Sequence, residues 1–459
     1  MVFKGHFNSK TYMKNIGIEN FIFGYFFCKK RFKKLRGGGF MKDYLRFLKK
    51  FKPLLIGCFI VFSFLWIYWL SVASLSAENV SNTDSANAVS NASSQVSVDR
   101  TFGLSGKLGE IIANTPICGE TLEKGCINPT AERGYLGIPG APKPNLIIAF
   151  LWALWVGWIF STVGAFGGIM AGVGHITIFG LGNYASTFKK TNPALNKFLT
   201  DTIRTSNMFL VGLSSIISTF NYWRMKRIVA PLAIVMAIGA VGGAFAIAYL
   251  TAGKVTFKQY VGYFGLAVFA IAGFMWYGTT ERARAKRKAA SEAAKKFEEA
   301  VKKGEAVEGV KLIKFGLTEC IFTFAGVEFR FNPLLAFIGG LIVAMISVFL
   351  GLGGGFLLVP FMTDIIKLPM FIVAGTSAFV VMIQMIVGIL TYLGKGIVVW
   401  WPLIGVELIG IFIGSMIGPR TQKYIPDIWL KRLFVLLAIY VGLRYTTKGF
   451  FGRSIVPPY

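Results

Sequence analysis

Charge is scarce in this chain. Asp, Glu, Lys and Arg make up 15% of its 459 residues, where a soluble globular domain carries about 25%. Histidine is rarer still, with two, and the five cysteines form neither a Cys-x-x-Cys pair nor a Cys/His cluster. A metal site is therefore not expected. No His-Glu-x-x-His occurs, no glycine run is followed by Gly-Lys-Ser/Thr, and no Ser/His/Asp set stands out. These absences argue against a zinc hydrolase, a P-loop enzyme and a serine hydrolase. No enzyme activity and no cofactor is expected.

What is abundant is apolar surface. Hydrophobic residues reach 54%, 43 of them Phe, and the mean hydropathy is +0.60. This is the composition of a polytopic, all-helical membrane protein. Its net charge of +28 comes from 49 Lys and Arg against 21 acids. On a soluble domain that excess would suggest nucleic acid. On a membrane chain it follows from Lys and Arg gathering in cytoplasmic loops, so the bilayer, and no nucleic acid, is the expected partner. Oligomeric state is left open.

Residues 1–53 hold 14 Lys and Arg and two acids, Glu19 and Asp43, and read as a basic cytoplasmic N-terminus. Arg36-Gly37-Gly38-Gly39 before Met41 resembles a translated purine-rich ribosome-binding site, which would make Met41 the true start and 1–40 a mis-assigned extension. A basic stretch, Lys42 to Lys52, then leads into an apolar run, Pro53 to Trp69, and small residues to Ala77. Residues 54–77 are a retained transmembrane helix or signal anchor, with a cleaved signal peptide the alternative. Residues 78–144 form an extracytoplasmic segment with five basic and seven acidic residues. Its first part, 78–98, has linker composition. Cys118 and Cys126 are expected to close a disulfide loop in an oxidising compartment. Cys28, Cys58 and Cys320 are expected as free thiols.

Apolar segments follow at 146–185, 206–221, 229–251, 258–278, 333–361, 372–393, 400–418 and 432–446. They divide into two repeats, 145–278 and 332–459, around a basic cytoplasmic insert, 279–331. In the insert, Glu281 to Lys303 should be a solvated helix, and Thr318–Phe324 and Val327–Phe331 two strands about an Ala325-Gly326 turn. Thr205-Ser206 and Thr376-Ser377, Pro231 and Pro402, Gly239 and Gly410, and Gly243 and Gly414 all lie 171 residues apart. Ser161…Gly167-Gly168 matches Ser347…Gly353-Gly354 at 186, the difference being read as extra loop around Lys189 to Asp201. Duplicated halves with glycine-broken apolar segments mark secondary transporters. With 78–144 outside and 279–331 inside, each half must be a broken hairpin plus three crossings. The two repeats are then inverted. Arg224, Lys226, Arg227, Arg420, Lys423, Lys431 and Arg432 fall inside, whereas Lys189, Lys190 and Lys197 fall outside.

Gly351-Leu352-Gly353-Gly354-Gly355-Phe356-Leu357-Leu358-Val359-Pro360 is the sharpest motif. Glycines free backbone groups at membrane depth, and the half-helix that follows would aim N–H groups at an anion. Close helix packing is the alternative. Thr376 and Ser377, with Thr205, Ser206 and Asn207, offer hydroxyls and an amide for capping or for an oxyanion. Arg204 would draw anions at a helix mouth or face the loop. His175 and Glu407 are the candidate proton carriers, or internally bonded structural groups. Trp152, Trp155, Trp158, Trp400 and Trp401 read as interfacial anchors.

On the G-x-G-G-G-x-x-x-V-P segment, Gly375-Thr376-Ser377 and the G-x-x-x-G of Gly410 and Gly414, the chain resembles the sulfite exporter TauE/SafE family over 146–278 and 332–447. The second half is much the closer. The resemblance implies a multi-pass inner-membrane transporter that exports small sulfur-containing anions: sulfite, sulfoacetate or related organosulfonates. Gly353, Gly354, Gly355, Thr376 and Ser377, with Gly167, Gly168, Thr205 and Ser206, would line one shared site by alternating access. The alternatives are a proton-coupled importer of the same anions and a membrane sensor using 78–144. N-terminal sequencing of the native protein is expected to begin at Met41 or later; retention of residues 1–40 refutes that start.

Overall fold

The computed structural model describes residues 100–455 apart from 120–124, 164–166, 225–226, 279, 281–309, 317, 325–326, 369, 422–426 and 453. The expectations for the start at Met41, the helix or signal at 54–77, the 78–98 linker and the Glu281 to Lys303 helix lie outside these residues.

The fold is helical. A small cap, 100–145, holds helix α1 (Gly106–Ala113), the Cys118–Cys126 disulfide and a tight turn at Tyr135–Gly137. The first half then runs α2 (Leu146–Val163), α3 (Gly167–Val173), a π turn (Gly174–Ile178), α4 (Leu181–Thr187), α5 (Pro193–Arg224), α6 (Ala230–Thr251) and α7 (Phe257–Gly278). The second half runs α8 (Pro333–Leu350), α9 (Gly355–Pro360), a π turn (Phe361–Ile365), α10 (Met370–Gly394), α11 (Trp401–Thr421) and α12 (Asp427–Phe450). By length and composition, Ala230–Thr251, Pro333–Leu350 and Ile372–Gly394 can each cross a membrane; Leu146–Ser161, Gly167–Ile178 and Trp401–Ile417 are shorter apolar helices.

Local chemistry sets the helix ends. Asn145 accepts from the Ile147 backbone N–H at 2.9 Å and starts α2. Asn332, followed by Pro333, accepts from Leu334 and Leu335 and starts α8. Both are side-chain N-caps that satisfy donors a helix start leaves open. Gly351, at φ +68°, ends α8 in the left-handed cap that glycine adopts without strain.

The two halves interlock. Helix α6 packs along α8, α11 along α2, α7 along α12 and α10 along α5. Gly239 and Gly243 bring α6 against the backbone of Phe337 and Leu341, while Gly410 and Gly414 bring α11 against Phe150 and Leu154. A Cβ at any of these four glycines would collide with the facing helix, so small residues let the helices touch backbone to backbone. Ser214 and Ser415 then hydrogen-bond at 3.0 Å across α5 and α11.

Between the halves stands an antiparallel sheet of β1 (Lys311–Phe315), β2 (Cys320–Phe324) and β3 (Val327–Phe331), in that order. Strands β2 and β3 were expected; β2 alternates with Cys320, Phe322 and Phe324 inward, and the Cys320 thiol is free. The expectation missed β1, whose five residues are all exposed and so show no inside-outside alternation. The residues around Lys189 to Asp201, expected as extra loop, are instead mostly the first turns of α5, begun by Asn192, which accepts from the Leu195 N–H at 3.0 Å.

Gly410→Val is expected to destabilise the protein by about 1–3 kcal/mol through overpacking, whereas Gly405→Ala on the same helix, with open space around it, should leave it unchanged. Thermal melting of the detergent-purified variants checks the contrast; equal midpoints would refute this packing.

Candidate functional site

The glycine motif forms a crossing. Gly351, Gly353 and Gly354 all have positive φ, at +68°, +82° and +60°. Gly351 lies on the Arg204 backbone, Gly353 on the Val211 side chain and Gly354 between Ser347 and Gln384. Gln384 donates to the Gly353 carbonyl at 3.1 Å. From the first half, Gly168 presses on the Leu352 carbonyl and Gly167 on Phe160. The N–H of Gly355 bonds the Gly353 carbonyl, and those of Leu357 and Leu358 bond that of Gly354. These donors are thus spent within the motif.

The two Thr-Ser pairs lie apart. Arg204 stacks on Tyr392 near one end of α10, while Thr376 is 16 residues back along the same helix, about 24 Å at 1.5 Å per residue. Thr376 and Ser377 therefore do not share a site with Thr205 and Ser206. Nor do the pairs open helices: Thr376 is in the second turn of α10, and Thr205 is in the middle third of α5. Thr376 donates to the Ile372 carbonyl at 2.7 Å and accepts from the Val229 N–H at 3.1 Å, tying α10 to the start of α6. Ser377 bonds Ala374, and Thr205 bonds Asp201, both to backbone carbonyls.

Arg204 is fully buried and lies within α5 rather than at a helix mouth. It donates to Asp201 Oδ1 at 2.8 Å and to Thr251 Oγ1 at 3.2 Å, with its guanidinium between the Phe349 and Tyr392 rings. Asp201 also accepts from the Gly253 N–H at 2.6 Å. The i,i+3 spacing sets the pair on one helix face, a signal open to sequence reading but missed. The charge that was expected to attract anions is thereby neutralised inside the protein.

His175 and Glu407 meet. The π turn after α3 holds His175 and α11 holds Glu407; both side chains are fully buried, with Nε2 and Oε2 3.2 Å apart. His175 Nδ1 faces the Ala171 carbonyl at 3.2 Å. A carbonyl only accepts, so Nδ1 carries a hydrogen. Nε2 and Oε2 then face each other at 3.2 Å, yet neither Nε2 nor a Glu407 oxygen makes a hydrogen bond of good geometry. Asn207 of α5 adjoins His175, and its neighbour Ser206 adjoins Tyr135 of the cap. Asn207 donates to Tyr260 at 3.5 Å, and Tyr260 to the otherwise open Leu350 carbonyl at the end of α8. Tyr135, from the cap, lies beside Ser206 and within electrostatic reach of Glu407. The Ser206 and Tyr135 hydroxyls, Asn207 Oδ1 and both Glu407 oxygens make no hydrogen bond of good geometry. Tyr135 and Tyr260 were not expected, since neither stands in a motif. Among the described residues no His/Cys/Asp/Glu group could hold a metal.

A helical membrane protein, with a glycine motif packed between its two halves and a polar cluster buried within it, is the class these features define. The sulfite exporter TauE/SafE family profile matches residues 148–445, and the chain belongs to that family of membrane transporters of sulfur anions. No curated protein and no solved structure matched the chain.

Asp201→Asn leaves the Arg204 charge buried without its partner and is expected to cost about 3–5 kcal/mol. Asp201→Leu combined with Arg204→Met should cost clearly less than Asp201→Asn alone. Chemical unfolding in detergent measures both, and a double variant at least as damaged would show that the charges are needed for more than each other.

Proposed function

We propose that the protein exports small sulfur-containing anions, with sulfite, sulfoacetate or a related organosulfonate as substrate, by alternating access across the inner membrane. The observation that carries this is the set of buried polar atoms without good protein partners around His175 and Glu407. Buried polar groups are otherwise satisfied, and such atoms within apolar helices suit a small polar ligand. Ser206 donates its hydroxyl, Asn207 orients beside it, and His175, facing Glu407, offsets the carboxylate's repulsion of an oxyanion. In this reading Gly353, Gly354 and Gly168 let the hairpins cross, and Thr205, Thr376 and Ser377 bind backbone.

The halves are inverted repeats. Asn145 and Asn332, and the π turns beginning at Gly174 and Phe361, lie 187 residues apart, one more than the 186 read from the glycines. Downstream the offset is 171. The reciprocal packing of α6 on α8 and α11 on α2 is what a two-fold axis in the membrane plane produces. By these offsets Glu407 corresponds to Met236 and His175 to Met362, both buried. The His175–Glu407 pair is therefore built once, and in this reading it serves the two-fold arrangement as one shared site. With the cap outside, the cell's negative interior favours anion exit by roughly 2.3 kcal/mol per charge per 100 mV. Proton-coupled uptake is the second reading, favoured by the same pair.

Counterflow of labelled sulfite and a sulfonate panel into proteoliposomes tests this. Saturable flux is expected, at least tenfold lower per folded protein in Ser206→Ala/Asn207→Ala, and near wild type in Thr376→Ala/Ser377→Ala. An imposed negative interior should speed efflux. A pH gradient that drives uptake instead would select the importer. Folded protein that moves none of the anions sinks both readings.

A further inference from the structure

The cap lies almost wholly before the family match, which begins at residue 148, yet it reaches the interior. Tyr135 is 1% exposed. Its ring meets Trp400, just before α11, edge-on at 5.8 Å between centroids. Its hydroxyl lies beside Ser206 and within electrostatic reach of Glu407, without a good hydrogen bond of its own.

The cap is built to hold it there. Asn192, which begins α5, donates to the Ile111 carbonyl at 3.1 Å and to Thr115 at 2.7 Å. Lys107 donates to the Lys395 carbonyl at 3.3 Å. The Cys118–Cys126 disulfide and the Ile117–Ile127 bridge close the intervening loop, and Gly125 lies against Thr187 and Thr191. From this frame a turn carries the tyrosine inward. Gly134 accommodates the Ala141 carbonyl where no side chain fits, Leu136 takes φ +59°, and the Tyr135 N–H bonds the Pro142 carbonyl at 2.9 Å. A non-glycine residue in the left-handed region persists only where its surroundings impose it.

We propose that the cap supplies a wall of the substrate site: Tyr135 covers Ser206 from the cap side and donates its hydroxyl to the bound oxyanion. A solute can then pass to the cap side only when the Tyr135 turn withdraws. The anion's identity rests on the transport reading above; the wall does not.

The test separates the two. Cys28, Cys58 and Cys320 are replaced by Ser and Ser206→Cys is introduced, with the protein in lipid nanodiscs so that both faces are open. Reaction with a charged, water-soluble thiosulfonate is followed. With Tyr135 present the rate is expected to be low. Tyr135→Ala should raise it at least tenfold, and so should Cys118→Ser/Cys126→Ser, which loosens the frame and leaves Tyr135 in place if Tyr135→Ala fails to fold. Tyr135→Phe should keep the rate low, while in the wild-type background it raises the KM for the transported anion severalfold. Equal labelling rates with and without the Tyr135 ring overturn the wall, whether or not any anion is transported. An unchanged KM in Tyr135→Phe overturns the hydroxyl's part.

Discussion

Backbone and side-chain polar groups within an apolar layer must find their partners inside the protein, and this requirement orders the whole molecule. Breaking α8 at Gly351 leaves carbonyls at its end. Leu350 is answered by Tyr260 from α7, Ser347 by the N–H groups of Gly351 and Leu352, and Gly353 by Gln384 from α10. Each answer comes either from within the motif or from a helix that must pass close by. The glycines supply that closeness, because a Cβ at Gly168, Gly353 or Gly354 would meet an atom of a neighbouring segment. The break in the helix and the interlocking of the halves are thus one arrangement rather than two.

The same requirement sorts the charges. Asp201 and Arg204 are mutually compensated and further bonded by Gly253 and Thr251, so they hold α5 to the turn after α6. His175 and Glu407 are only partly compensated. They face each other at 3.2 Å, but neither His175 Nε2 nor the oxygens of Glu407 take a good hydrogen bond. A structural pair is the cheaper of the two to keep buried; an incompletely bonded pair is one that a ligand or a proton can still engage.

Much of this was legible in the sequence, and the limits have physical causes. Apolar runs gave most helices to within a few residues, since length and hydropathy decide them; α5 is the exception, beginning at Pro193 well before its apolar run. Gly239, Gly243, Gly410 and Gly414 stood out by their spacing, and each serves a helix contact that needs a small residue. Strands β2 and β3 followed from alternation. The site was only half legible. His175 and Glu407 stood out singly as ionisable groups in apolar runs, but nothing local says that residues 232 apart in sequence touch. Thr376 and Ser377 were placed with Thr205 and Ser206 because repetition was taken for proximity. In an antiparallel pair such as α5 and α10, equivalent residues fall at opposite ends.

That geometry bears on mechanism. The two Thr-Ser motifs lie far apart along α5 and α10 and cannot form one site, but under the proposed alternating access the His175–Glu407 pair can serve both directions if the halves rock about it. The rocking would exchange which side closes. On the cap side, closure falls to Tyr135 and its turn. On the opposite side Thr376 already ties α10 to the start of α6 through the Val229 N–H, and Gly375 lets the turn near Tyr222 and Arg227 approach α10. The two Thr-Ser motifs then have a common sense despite their separation. Each belongs to one end of the same helix pair, one beside the buried cluster and the other at the closed end, so that the duplicated sequence serves different tasks on the two sides of a single pathway.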